Sequence, residues 1–365
     1  MRNGSWHVLV ALVLMAGALA MPAAAATGAI DASQGRLLRD GQPWTPRGFT
    51  FDAFVAPPGE IIGVYAKAQQ RYGAQELSAV KNVFNADTIR LQISQNFIDA
   101  QPNNAYVAMI VDGVRQARQQ GLAVILSLRG HPPFGSHAGE VFPNAETAAA
   151  WQVLAPHFAG DTGVMFEIYT EPAWRIGSPA ADWAYWRAGM QPLVDAIRAA
   201  GARNVLILPG MHGDKTLDGA TPPNDPLHNY IWAVHPYPVV KNRGGELFSD
   251  IQPSDWDSHW GRFCSIAGNI CVVTEWDATS SKKCRPLSDA PLDTPTIAKT
   301  FLSYIQSKNI GMAAAWPFDW GQGLLVRDFN DFAPTYFDQN FQCDGDPKEG
   351  PGTLLQKMWH GEALD

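Results

Sequence analysis

Phe166-Glu167-Ile168-Tyr169-Thr170-Glu171-Pro172-Ala173-Trp174 reads as a buried strand that stops at a carboxylate. Pro172 has no backbone N–H to continue a ladder, so the strand is predicted to end there with Glu171 at its C-terminal tip. A second stretch, Ile270-Cys271-Val272-Val273-Thr274-Glu275-Trp276, has the same shape: a β-branched run, a Glu and an indole. Two carboxylates, each ending a strand beside a Trp, point to general acid–base chemistry on a sugar.

Outward from these two stretches, strand-like and helix-like segments alternate. Gly35–Trp44 is predicted to be a hairpin turning at Asp40-Gly41, leading into a first strand at Arg47-Gly48-Phe49. Strands are predicted at 86–92, 122–128, 164–169, 204–208, 230–234, 270–274 and 311–316. Helices are predicted at 105–120, 145–158, 182–200, 256–266, 294–307 and 353–359. The helix at 105–120 is expected to bury Met109, Val111, Val114 and Ala117, and that at 182–200 to bury Trp183, Trp186, Leu193 and Ile197. Eight strands separated mostly by helices imply parallel pairing through right-handed crossovers, hence an α/β fold of the (β/α)8 barrel type, with the hairpin at its N-terminus. A doubly wound open sheet is the alternative, but no Gly-rich phosphate turn supports it.

Polar residues fall at regular places. Arg90, His131, Glu171, His235, Glu275 and Trp316 each sit at or just past the C-terminal end of a predicted strand, and most neighbours are about 40 residues apart, roughly one βα unit. Taken singly, Arg90 reads as a surface residue, His131 as a loop cap and His235 as a satisfied core histidine. Taken together they converge on one face of a closed barrel, where such folds place their sites.

Residues 1–26 read as a cleaved signal peptide: Arg2, an apolar run from Val8 to Ala20, then the small residues Ala24-Ala25-Ala26. The remaining 27–365 is expected to be one catalytic domain of a secreted or periplasmic, monomeric protein with no membrane attachment after cleavage. The net charge of −8 argues against nucleic acid and anionic membranes as partners. Cys264, Cys271, Cys284 and Cys343 match no zinc spacing, and an even count in an exported chain implies disulfides. Three pairings are possible; the short loop favours Cys264–Cys271 with Cys284–Cys343.

With these residues in view, the chain resembles glycoside hydrolase family 5, the (β/α)8 retaining β-glycosidases that include many cellulases, from Arg47 to the Trp316 strand. The resemblance implies Glu171 as acid/base, because Thr170-Glu171-Pro172 is similar to the family's Asn-Glu-Pro, and Glu275 as nucleophile. It implies substrate-site roles for Arg90, His131, Thr170, His235, Tyr237 and Trp316, with no cofactor or metal. Thr170 stands where the family has Asn, the residue that holds the sugar 2-hydroxyl; Thr offers one hydroxyl in place of an amide. Arg90 is expected to place a fixed positive charge beside Glu275, and Glu275 to raise the pKa of Glu171 and keep it protonated. Trp174, Trp276, Phe318 and Trp320 are candidate extensions of the sugar platform, and loops around Phe134, Trp256 and Trp260 are expected to shape it.

The function expected is a secreted endo-β-1,4-glucanase acting on a polysaccharide. Another β-glycan (mannan, an exopolysaccharide) and a catalytically weak glycan-binding barrel are the alternatives. A metal-dependent barrel hydrolase would need a His-x-His on the first strand or a bridging Lys, and the sequence has neither in place.

Overall fold

The computed structural model describes residues 1, 28–60, 63–101, 103–130, 142–172, 183–241, 247–277, 292–315, 318–319, 325–335 and 349–364. Eight parallel strands close into a barrel: β4 (Arg47–Phe51), β5 (Thr88–Ser94), β6 (Ala123–Arg129), β7 (Val164–Glu167), β8 (Leu206–Leu208), β9 (Tyr230–Val234), β12 (Cys271–Val273) and β13 (Gly311–Ala315). The last pairs with the first, Met312 opposite Arg47, so no open edge remains. The alternative of an open sheet is thereby excluded. Gly48 is needed at this seam, because a Cβ there would lie 2.3 Å from the carbonyl oxygen of Ala313.

Alternation along each strand sorts residues into two cores. Ile89, Leu91 and Ile93 of β5 and Val124, Leu126 and Leu128 of β6 face outward into the layer beneath the helices. Ile125, Met165, Ile207, Ile231 and Val272 fill the barrel interior, together with Ile30, Ala32 and Leu37 from the N-terminal sheet. That sheet consists of β1 (Ile30–Asp31), β2 (Leu38–Arg39) and β3 (Gln42–Pro43), with the β2–β3 hairpin turning at Asp40 (φ 50°) and Gly41 (φ 76°). It plugs the N-terminal end: the Ile30 amide donates to the Thr162 carbonyl just before β7, and the Ala32 amide to Asn229 Oδ1 just before β9. The expected hairpin is therefore present, and its work is to close the end of the barrel away from the strand tips.

Helices pack outside. The α1 (Val64–Ala68) and α2 (Ala74–Asn82) helices, not anticipated from the sequence, follow β4; α3 (Ala105–Gln119), α4 (Ala145–Phe158) and α5 (Trp183–Ala199) lie close to expectation. Asn104 caps α3 by accepting from the Tyr106 and Val107 amides, and Asn144 caps α4. The buried face of α3 is Tyr106, Val107, Ile110, Val114 and Ala117; Met109 and Val111 are half-buried flanks rather than its centre. In α5 the four expected apolar residues are buried. The helix expected at 256–266 begins at Pro253 and passes through a π-turn at Asp257–Gly261. Between β8 and β9 there is no ordinary helix; a short turn at Met211–Asp214 takes its place. Two small antiparallel pairs, β10 (Val239–Lys241) with β11 (Leu247–Ser249) and β14 (Val326–Asp328) with β15 (Ala333–Pro334), decorate the loops. No helix among the described residues is long and apolar enough to cross a membrane. Residues 2–26 of the expected leader lie outside the described residues.

Cys264 and Cys271 form a disulfide across a separation of seven residues, as the loop length favours. Cys284 and Cys343 lie outside the described residues.

Candidate active site at the strand tips

The upper half of the barrel interior is charged because three neighbouring strands each carry polar residues on the inward side of their alternation. On β5 these are Arg90 and Gln92, on β6 Ser127 and Arg129, and on β7 Glu167; Gln92 pairs in register with Ser127, and Ser127 with Glu167. Arg90, Gln92 and Glu167 are fully buried. A buried guanidinium must have its donors satisfied, and here three carboxylate or hydroxyl oxygens do so. Arg90 Nε donates to Glu167 Oε2 (2.5 Å), Nη1 to Glu275 Oε1 (2.7 Å) and Nη2 to Thr170 Oγ1 (2.9 Å).

Glu275, 4% exposed, accepts two further hydrogen bonds, from Gln92 Nε2 to Oε1 (2.7 Å) and from the Tyr237 hydroxyl to Oε2 (3.1 Å). Three donors on two oxygens hold its carboxylate in one orientation. Gln92 in turn accepts from Arg129 Nη1 (2.7 Å), and Arg129 Nη2 lies 3.6 Å from Glu171 Oε2.

Glu171 is a third exposed, with a left-handed backbone (φ 52°). The strand ladder stops at Glu167, four residues earlier than the carboxylate. Backbone bonds from the Ile168 amide to the Ile207 carbonyl and from the Thr170 amide to the Leu128 carbonyl still carry the chain to it. The Glu171 amide donates to Asp214 Oδ2 (2.7 Å).

His235, at the end of β9 and fully buried, is the hub. Its Nδ1 lies 3.1 Å from Glu171 Oε1, 3.6 Å from Asp214 Oδ2 and 3.7 Å from Glu275 Oε2; its Nε2 lies 2.9 Å from Thr274 Oγ1. Thr274 passes the chain on, donating to Glu167 Oε1 (3.1 Å). Burial alone would lower the His235 pKa, but the charge of Glu275, the nearby carboxyl groups of Asp214 and Glu167 and the hydrogen bond to Glu171 push it up to about 10. The ring is thus a cation with both N–H groups donating.

The same arrangement reverses the expectation for Glu171. Burial would raise its pKa, but the hydrogen bond from His235 and the charges of His235, Arg129 and Arg90 outweigh it and hold the group at about 2. Glu171 is therefore the carboxylate and the neighbouring proton sits on His235. Glu167 is also held at about 2, burial being overcome by Arg90 and His235. Asp214 goes the other way, up to about 8, because burial dominates.

Oxygen and nitrogen atoms of Glu171, His235 and Glu275 lie within 4.8 Å of one another, as do those of Glu167, Asp214 and His235, so either set has the compactness of a metal site. Both share His235, whose Nδ1 lies 3.1 Å from Glu171 Oε1 and whose Nε2 lies 2.9 Å from Thr274 Oγ1. The guanidiniums of Arg90 and Arg129 supply the positive charge in this cavity.

The structure therefore brings Arg90, Thr170, Glu171, His235, Tyr237 and Glu275 into one network. His131, Trp174, Trp316, Trp320 and Phe134 lie outside the described residues. Four aromatic candidates are wall packing instead. Trp276 is buried and stacked on Phe301, Trp256 and Trp260 pack against Phe301 and Tyr304, and Phe318 sits among Phe49, Phe51 and Phe84. Sequence reading missed Gln92, Arg129, Glu167, Asp214 and Thr274. For Gln92 and Arg129 the signal was available: a polar residue two positions from another on a strand whose intervening residue is apolar shares its face. Asp214 has no such signature, since it lies in a turn.

The chain matches the family model described as cellulase (glycosyl hydrolase family 5) over residues 51–321. A comparison with curated protein sequences found no match. Among solved structures, the chain is similar to the β-glucanase SdGluc5_26A of Saccharophagus degradans in complex with cellotetraose (19% identity, 92% of this chain and 93% of that one, TM-score 0.64). It is also similar to the catalytic domain of Thermobifida fusca endoglucanase Cel5A (16% identity, 91% and 97%, TM-score 0.57). A third likeness is to a Thermomonospora fusca β-mannanase in complex with mannotriose (18% identity, 80% and 85%, TM-score 0.54). At these identities the neighbours establish the shared barrel, while the family match spans most of the sequence and includes both strand-end carboxylates. The chain belongs to glycoside hydrolase family 5.

Proposed function

We propose that this protein is a retaining β-glycosidase, an endo-β-1,4-glucanase exported behind a cleaved leader, residues 1–26, so that the mature chain begins near Thr27. The observation that carries the mechanism is the approach of the two carboxylates: oxygens of Glu171 and Glu275 lie within 4.8 Å of each other. Retaining pairs stand about 5–5.5 Å apart and inverting pairs about 6.5–9.5 Å, the extra space holding a water. A closest oxygen approach within 4.8 Å is compatible with the retaining spacing, and membership of a family of retaining enzymes supports direct attack by Glu275 on the anomeric carbon. The description of the matching family model as cellulase supports glucan as the substrate.

Glu275 attacks while Glu171 protonates the leaving oxygen; a glycosyl ester forms on Glu275, and the glycosidic C–O bond breaks. Arg90, Gln92 and Tyr237 hold the attacking carboxylate in its orientation. The proton reaches Glu171 through the hydrogen bond from His235 Nδ1, so the two residues act as one acid carrying one proton between them. In the second step the ionised Glu171 is the base that removes a proton from water.

The test combines variants with product stereochemistry on soluble β-glucan, mannan and xylan. Glu275→Ala is expected to lose turnover by about ten-thousandfold or more while keeping its fold. Glu171→Ala is expected to spare aryl glycosides with good leaving groups far more than glucan, and the first product is expected to keep the β configuration. Near-wild-type turnover of glucan by Glu275→Ala, or an α product, would sink the reading. N-terminal sequencing of the exported protein checks the leader.

A further inference from the structure

The turn that replaces a helix after β8 is built in an uncommon way. His212 (φ 62°, ψ 40°), Gly213 (φ 70°, ψ 46°) and Asp214 (φ 60°) are three consecutive left-handed residues, two of them not glycine. Left-handed residues normally occur singly, because Cβ crowds the following carbonyl, so a run of them persists only where the surroundings hold it. The loop is closed on itself by paired amides between Met211 and Thr216 (3.0 and 3.2 Å).

This turn is tied to the tips of two other strands. Asp214 Oδ2 accepts the Glu171 amide (2.7 Å), and the Gly213 amide donates to the Pro172 carbonyl (3.1 Å). The Asp214 carbonyl accepts the His235 amide (2.8 Å), and Asp214 Oδ2 faces His235 Nδ1 at 3.6 Å. Asp214 is fully buried, and its Oδ1 has no hydrogen-bond partner, an arrangement with a cost that packing alone does not explain. Its bonds go to the backbones of the two residues that share the catalytic proton.

We propose that Asp214 is a positioning residue for the acid/base: it fixes the left-handed backbone of Glu171 and the distance from Glu171 to His235. The proposal rests on the reading of Glu171 as acid/base. It makes a prediction that general destabilisation does not. Without the Oδ2 acceptor, Glu171 relaxes toward an extended backbone and its carboxylate leaves both His235 and the leaving oxygen. Glu275, held by Arg90, Gln92 and Tyr237, stays in place.

The experiment compares Asp214→Ala, Asp214→Asn and Gly213→Ala in the full chain, with glucan and an activated aryl β-glycoside as substrates. Asp214→Ala is expected to lower kcat on glucan on the order of a hundredfold with KM little changed, the scale of a misplaced general acid. The pre-steady-state burst on the aryl glycoside, whose leaving group needs no proton, is expected to stay within about threefold of wild type. Asp214→Asn keeps a carbonyl acceptor and is expected to restore glucan turnover. Gly213→Ala strains only the turn, since nothing lies within 4 Å of a Cβ there, and carries the test if Asp214→Ala does not fold; it is expected to slow glucan and spare the aryl burst. Equal losses on both substrates, or no loss on either, would overturn the proposal. If wild type cleaves no β-glycan, or Glu171→Ala shows no leaving-group dependence, the acid/base reading fails instead. A crystal structure of Asp214→Ala then decides the positioning claim alone: Glu171 extended supports it, and φ still near 52° overturns it.

Discussion

The two ends of the barrel interior use the same eight strands for opposite purposes. At the N-terminal end Ile125, Met165, Ile207 and Ile231 meet Ile30 and Leu37 of the plugging sheet in an apolar cluster. At the C-terminal end the interior holds two guanidiniums, an imidazolium and the carboxylates of Glu167, Glu171 and Glu275, every one linked to another. The lower end stabilises by removing apolar surface from water. The upper end gains little net stability, because burying charges costs roughly what their attraction returns. What it provides is fixed geometry, and it depends on the lower end to hold the strands at constant spacing.

Breaking each end should therefore have a different signature. The largest stability effect is expected at Arg90: Arg90→Ala leaves Glu167 and Glu275 buried without their cation, a loss of about 3–5 kcal/mol. Ile207→Ala at the other end is expected to cost about 2–4 kcal/mol through its cavity. Urea unfolding as a function of pH separates them. The Arg90 loss should shrink as the pH falls toward 2, where Glu167 becomes protonated, and the Ile207 loss should not. A pH-independent Arg90 loss would show that charge is not its cause.

Next in size is the disulfide, which sits at the N-terminal end of β12 and closes a short loop. Replacing Cys264 and Cys271 together by Ser is expected to cost about 2–3 kcal/mol and leave glucan turnover within about twofold. A large activity loss measured well below the melting temperature would mean that the ends are coupled.

Arg129 should move a pH profile more than a stability. Its charge helps to hold Glu171 near 2, so Arg129→Met raises that pKa. The proton shared by Glu171 and His235 is then held to higher pH, and the alkaline limb of kcat/KM on glucan is expected to shift upward by about one unit, or roughly 1.4 kcal/mol. An unmoved limb would remove Arg129 from the protonation chemistry.

Thr170 is expected to show an effect no larger. Its hydroxyl oxygen accepts from Arg90 Nη2, and an Asn carbonyl could do the same while its NH2 reaches toward the sugar 2-hydroxyl. Thr170→Asn is expected to raise kcat on soluble β-glucan by about tenfold, roughly 1.4 kcal/mol, with little change in KM. A slower variant would indicate that the site is built around Thr and takes a different sugar.

Much of this was legible in the chain itself. The alternation of apolar runs pointed to the barrel, because helices and strands have different periods, and the pairing of Met312 with Arg47 decided it against an open sheet. The strand-end positions of Arg90, Glu171, His235 and Glu275 determined that they meet, since parallel strands bring all their C-terminal tips to one face. The indoles show the limit: Trp256, Trp260 and Trp276 read as platform or loop aromatics and are core, because composition does not say which side of a chain another element covers. Tertiary structure alone decided the protonation of Glu171. Its pKa is set by His235, 64 residues away, and by Arg129 and Arg90 on other strands. It also decided the role of Asp214, which depends on a turn conformation that no local pattern announces. Periodicity is a local property of the chain, whereas charge–charge distances and hydrogen-bond partners are properties of residues brought together only by folding.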